Sequence, residues 1–107
     1  MPLTASGNDK LRLELIIERP ALRRAEDLLR EAGVTGWTVV PAMSGFGGQT
    51  RWSRGTDLSG STDMVVLICI ADEDALEPAL KRILELLDKR IGVVNVSDVR
   101  VLRPGLF

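Results

Sequence analysis

Residues 63–71 read DMVVLICIA, an aspartate followed by an unbroken apolar run from Met64 to Ala71. A run of this length and β-branched content fits a strand in the middle of a covered sheet, where both faces are shielded from water. Working downstream, Asp72 stands where its side chain can cap a helix, and Glu73 and Asp74 suit the positive end of the helix dipole. Leu76, Ala79, Leu80, Ile83, Leu84 and Leu87 then recur at helical spacing, with Lys89 and Arg90 at the C-terminal end. A turn at Gly92 leads into VVNVSDVRVL, where Val94, Val96, Val99 and Val101 break strict alternation, so an irregularity near Ser97 and Asp98 is expected.

Upstream of the same run, LRLELII from Leu11 alternates and then becomes wholly apolar, which predicts the first strand. Residues 1–9 are small and polar and are expected to be a flexible terminus. Pro20 suits a first helical turn, Ala21, Leu22, Ala25, Leu28, Leu29 and Ala32 form an apolar stripe, and Gly33 closes the helix. WTVVPAM from Trp37 reads as a strand in which Pro41 removes a ladder donor, placing it at an edge or bulge. The order is strand, helix, strand, strand, helix, strand. Its two halves predict an α+β, ferredoxin-like βαββαβ fold: one domain over 1–107, a four-stranded antiparallel sheet, and both helices on one face. The other sheet face would then need cover from further subunits, which predicts a homo-oligomer.

Composition narrows the chemistry. With 14 Lys+Arg against 15 Asp+Glu the net charge is −1, so no global field draws nucleic acid. The chain has no histidine and no tyrosine, which removes Ser-His-Asp and Cys-His catalysis and Cys/His metal sites. Its one cysteine, Cys69, lies inside the apolar run and reads as a core residue. No apolar stretch is long enough for a membrane span and the N-terminus lacks the pattern of a signal peptide, so a cytoplasmic, non-enzymatic binding protein is expected.

One segment does not serve the core. Residues 44–62, containing GFGGQTRWSRG at 45–55, are nearly free of apolar residues, and a mobile loop between the second and third strands is expected there. Gly45 and Gly47 would let backbone N–H groups approach a phosphate, although a flexible linker uses glycine equally well. Taken in order, GVTGWTVV at 33–40, GFGGQ at 45–49, the Arg54–Gly55 pair and VRVLR at 99–103 resemble the PII signalling superfamily, over Lys10 to Arg103. The chain is also similar to its carboxysome-associated PII-like subfamily.

That resemblance implies a homotrimer that binds adenine nucleotide in clefts between subunits, with residues 44–62 as the T-loop. For the subfamily it implies ADP or AMP as ligand together with bicarbonate, no required cofactor, and a link to inorganic-carbon uptake, with a membrane bicarbonate transporter or an enzyme as the candidate partner. The nucleotide-binding positions it implies are Thr38, Gly45, Phe46, Gly47, Gly48, Gln49, Cys69, Lys89, Gly92, Arg100 and Arg103. Bicarbonate would meet Gly47, Gly48, Gln49, Arg51 and Arg54; Trp52 and Arg54 would meet a partner protein, with packing of the indole back onto its own trimer as the alternative for Trp52. Arginine forks and amide donors suit such anions, while the bland reading of each arginine is a solvated surface residue.

Departures from the family pattern sharpen the expectation. Gly48 stands where a basic residue is usual, and DKRIGVV offers only Lys89, Arg90 and Gly92 where a glycine-rich phosphate loop is expected. Fewer cations favour a nucleoside mono- or diphosphate over ATP. The absence of tyrosine excludes uridylylation of tyrosine. Two other classes compete: a phosphatase of acylphosphatase type, for which Arg19 and Asn95 are the available pair, and a ligand-free structural oligomerisation module.

Overall fold

The computed structural model describes residues 8–47, 50–53 and 63–103. The apolar run forms a strand, β5 (Met64–Ala71). Before it come β1 (Asn8–Glu18), a 3₁₀ turn (Arg19–Ala21), α1 (Leu22–Glu31), β2 (Thr38–Pro41), β3 (Ser44–Gly47) and β4 (Thr50–Ser53). After it come α2 (Glu73–Leu87) and β6 (Gly92–Val101). The main sheet has the order β2-β5-β1-β6 and is antiparallel throughout, which is the ferredoxin-like βαββαβ arrangement. Pro41 lies on the edge strand, where a missing N–H is tolerated.

The pairing register decides what faces the helices. Leu13, Leu15 and Ile17 of β1 stand beside Val65, Leu67 and Cys69 of β5, and all six are buried against Ala25, Leu28 and Leu29 of α1 and Leu76, Ala79 and Ile83 of α2. Each such leucine or isoleucine contributes about 1.5–3 kcal/mol by leaving water. The opposite face carries Val40, Val66, Ile68, Ile70, Ile16 and Val93, none of them fully buried. That face has no helix over it.

Four local expectations are corrected. First, β1 begins at Asn8, not Leu11, because Asn8, Asp9 and Lys10 find partners in Val101, Arg100 and Val99. Second, β6 has no bulge: its register with β1 is continuous from Val101 to Gly92. Its broken alternation arises because an edge strand with few neighbours does not need strict patterning. Third, Asp72 occupies the N-cap position of α2 without a side-chain cap bond; its Oδ1 instead accepts from Lys10 Nζ at 2.6 Å. Fourth, within the segment expected to be a loop, β3 and β4 pair as a hairpin, with Gly45 opposite Trp52 and Phe46 opposite Arg51.

Gly33 is the one described residue with clearly positive φ, +90°, and its N–H bonds Arg30 O while Val34 N–H bonds Leu29 O. Glycine is needed there to end α1 and turn the chain into the sheet.

Candidate functional site

Strand register sorts the candidate residues into places. Pro41 pairs with Val65, Val65 with Ile17, and Ile17 with Gly92, so these four mark one end of the sheet. The chain leaves β2 at that end, where Ala42 N–H still bonds Met64 O, and enters the hairpin at Ser44. Lys89, exposed in the turn after α2, and Gly92 belong to the same end. Arg100 and Arg103 lie at the other end of β6, which at the rise of an antiparallel strand is about 30 Å away. Thr38, exposed on the helix-free face of β2, is three strand spacings from β6, or about 14 Å. No small ligand reaches all of these positions in one chain.

Gly92 has a packing requirement of its own. A Cβ there would sit 2.7 Å from Ile16 O and 2.8 Å from Leu87 Cδ2, so β6 passes too close to β1 and α2 for any side chain. Ile91 N–H donates to Glu18 Oε1 at 3.4 Å and the Arg90 guanidinium is 3.9 Å from the same oxygen, so the shortened turn is tied to the end of β1. Arg90 is thereby engaged by a carboxylate. Cys69 is fully buried on the helix-facing side, and removal from water pushes its thiol up to about 11. It packs as a core residue and presents no surface to solvent in the single chain.

Two features of the folded chain lie outside the expectations drawn from the sequence. At the start of β2, Trp37 Nε1 donates to Glu26 Oε2 at 2.9 Å and the Arg30 guanidinium lies over the indole at 5.3 Å. Trp37 and Arg30, with Gly33, Val34, Thr35 and Gly36, line an open depression of about 530 Å³ beside Thr38. At the far end of β6, Arg100 shares a second depression, of about 420 Å³, with Asp9, Asp98 and Val99, and its Nε is 3.9 Å from Asp9 Oδ1. Asp98 and Arg100 have the i, i+2 spacing of one strand face, a signal the sequence does contain; Asp9 joins them only because β1 starts early.

On the helix-free face, Glu14 accepts from Asn95 Nδ2 at 3.1 Å and from Arg12 Nη2 at 3.4 Å. The Asn95 bond, opposed by partial desolvation and aided by the bond and charge of Arg12, holds this carboxyl below the ordinary carboxylate value. Asn95 is therefore committed to Glu14, and Arg19 lies five positions from Glu14 along the chain, with Nε 3.7 Å from Asp63 Oδ2. The pair that a phosphatase reading needs is not brought together. Among the described residues there is no cluster of acidic and cysteine side chains able to hold a metal ion, and no helix long and apolar enough to cross a membrane.

Gly48, Gln49 and Arg54 lie outside the described residues. Phe46, Gly47, Arg51 and Trp52 are placed by backbone pairing in the hairpin.

Comparison with known proteins matches this architecture. The model of the family described as Nitrogen regulatory protein P-II matches residues 10–106. Among solved structures, CPII of Thiomonas intermedia K12, a nitrogen regulatory PII-like protein bound to ADP, AMP and bicarbonate, is 30% identical with a TM-score of 0.83, covering 92% of each chain. The same protein bound to ADP and bicarbonate is 31% identical at TM-score 0.79, over 92% of this chain and 93% of that one. A PII-like signalling protein of Thermus thermophilus shares the fold at 18% identity and TM-score 0.72, over 91% of this chain and 93% of that one. No curated protein sequence matches the chain. The strand order, the hairpin after β2 and the match over nearly the whole length agree, and the chain belongs to the nitrogen regulatory protein P-II family.

Proposed function

We propose that this chain is a PII-like regulator that binds ADP or AMP, together with bicarbonate, in clefts between the subunits of a homotrimer. The observation that carries the reading is the separation along β6. The hairpin, Lys89 and Gly92 stand at one end and Arg100 and Arg103 at the other, about 30 Å apart, so a nucleotide that meets both groups must lie between two chains. The uncovered apolar face around Ile16, Val66 and Ile68 supports the same arrangement, since packing it against other copies removes it from water. CPII, bound to ADP, AMP and bicarbonate at 30% identity, supports the choice of ligands.

In this arrangement Arg100 and Arg103 of one subunit hold phosphate oxygens by charge-assisted hydrogen bonds, while backbone N–H groups at Gly45 and Gly47, with Lys89, approach from the next. Thr38, at the edge of the sheet, offers a hydroxyl to the ligand. Bicarbonate, a planar monoanion, takes donors from Gly47 to Gln49 and the guanidinium groups of Arg51 and Arg54. Ligand contacts at the base of the 44–62 segment favour one of its conformations, and Trp52 and Arg54 pass that choice to a partner in inorganic-carbon uptake, a membrane bicarbonate transporter. The setting is the cytoplasm, and no bond in the ligand is made or broken.

The coupling is reciprocal: nucleotide and bicarbonate change each other's affinity by one shared factor. Calorimetric titration of ADP with and without bicarbonate tests it. A shift of about fivefold or more in Kd is expected; equal affinities, or no ADP binding, contradict it.

A further inference from the structure

The depression around Arg100 is acidic as well as basic, and that bears on which nucleotide fits. Asp9 Oδ1 stands 3.9 Å from Arg100 Nε, and Asp9 and Asp98 line the same depression of about 420 Å³ as Arg100. The placement follows from backbone register. Asp9 pairs with Arg100 across β1 and β6, and Asp98, opposite Leu11, points to the same face as Arg100 two residues on. Neither aspartate is committed elsewhere by a stronger contact among the described residues: Asp9 is 95% exposed, and its sole ion pair among them is the one to Arg100. Two carboxylates thus line the depression that holds the guanidinium, Asp9 as its ion-pair partner and Asp98 on the same strand face.

From this juxtaposition we infer that Asp9 and Asp98 are specificity-determining residues that set a ceiling on the negative charge of the bound nucleotide, selecting AMP and ADP against ATP. The inference rests on the proposed role of Arg100 in holding phosphate. Its physical content is competition and repulsion. A phosphate that bonds Arg100 competes with Asp9 for the guanidinium, and its remaining oxygens face Asp9 and Asp98 across the same depression. Charge grows from AMP through ADP to ATP, so the repulsion grows in the same order while the arginine contact stays the same. Discrimination by a built-in like charge, with no loss of contacts to the preferred ligand, is a standard way to separate close analogues. Because the groups are exposed, the effect is moderate and is screened by salt.

The test is titration of AMP, ADP and ATP into the wild-type protein, Asp9→Asn, Asp98→Asn and the double variant, with Glu77→Gln, exposed on α2, as a control that removes the same charge from a residue that does not line the depression. Each aspartate variant is expected to tighten ATP by about two- to fivefold and AMP by less, so that the ATP/AMP affinity ratio rises about threefold in the double variant. Glu77→Gln is expected to leave the ratio unchanged. Repeating the titration near 1 M sodium chloride, where screening acts within about 3 Å, is expected to bring wild type and double variant together. If wild type binds ADP and the double variant keeps the wild-type ratio, or if Glu77→Gln shifts the ratio equally, the inference is overturned while the nucleotide reading stands. If wild type binds no adenine nucleotide, that reading falls and the inference falls with it. Thermal melts of each variant distinguish a change in affinity from a change in folding.

Discussion

Gly92 is held at the start of β6 by its neighbours and not by its own torsions: a methyl group would meet a backbone oxygen, Ile16 O, at 2.7 Å. A side-chain neighbour can rotate away, whereas a strand carbonyl cannot, so Gly92→Ala is expected to cost about 1–3 kcal/mol and to lower the urea midpoint without changing the slope. An unchanged midpoint would show that β6 shifts freely there. Cys69 gives a second test at this scale. Its buried thiol, raised to about 11, is expected to resist a thiol reagent at neutral pH until the chain unfolds, and rapid stoichiometric labelling of the native protein would contradict its packing. Glu14 gives a third. Its pKa is lowered in the folded state, so the stability it contributes is complete above its ordinary value of 4.5 and is lost as pH falls through the lower native value. The stability difference between wild type and Glu14→Gln is therefore expected to shrink as pH is lowered from about 6 to about 3; a difference independent of pH would rule out the ion pair and hydrogen bond as its source.

Among the elements, those that bury a face were readable and those that depend on a partner strand were not. MVVLICIA declared β5 because its residues are apolar on the face that meets the helices and on the helix-free face alike, leaving an unbroken apolar run. Ala25, Leu28 and Leu29, and Leu76, Ala79 and Ile83, declared the helices because each stripe must reach the same core. By contrast, the beginning of β1 at Asn8 and the straightness of β6 are fixed by hydrogen bonds between the two strands, to which side-chain patterning contributes little at an exposed edge. Asp72 shows the same limit for a single residue. It has the right type and place for a cap, but Lys10 from the neighbouring strand takes its carboxylate. The β3–β4 hairpin was hidden by its glycines, although Phe46, Thr50 and Trp52 are strand-favouring types placed on either side of the sequence Gly-Gly-Gln. Substituting Phe46 and Trp52 by serine is expected to leave the thermal stability of the core within about 0.5 kcal/mol, because the hairpin is a separate sheet; a large loss would mean that it packs on the core.

At the scale of the whole molecule, the fold and its family were legible in the order of elements and in a few glycines, threonines and arginines, but the candidate site was legible as a set without a geometry. Sequence places Lys89, Gly92, Arg100 and Arg103 within 15 positions of one another. Folding stretches that interval along one extended strand and carries its ends about 30 Å apart. The proposed composite cleft between subunits rests on that distance, and it can be tested without knowing the partner. Lys89→Ala and Arg103→Ala chains are each expected to bind ADP poorly alone, since every cleft lacks one contact. Mixed as equal parts and reassembled, they form some clefts that take Lys89 from one chain and Arg103 from the other. If the chains assort at random in a cyclic oligomer, about a quarter of all clefts are intact. The decisive measurement is the ADP stoichiometry of this mixture: recovery of about one quarter of the wild-type sites at wild-type affinity is predicted, and a mixture that binds no better than its two components would contradict a site shared between subunits.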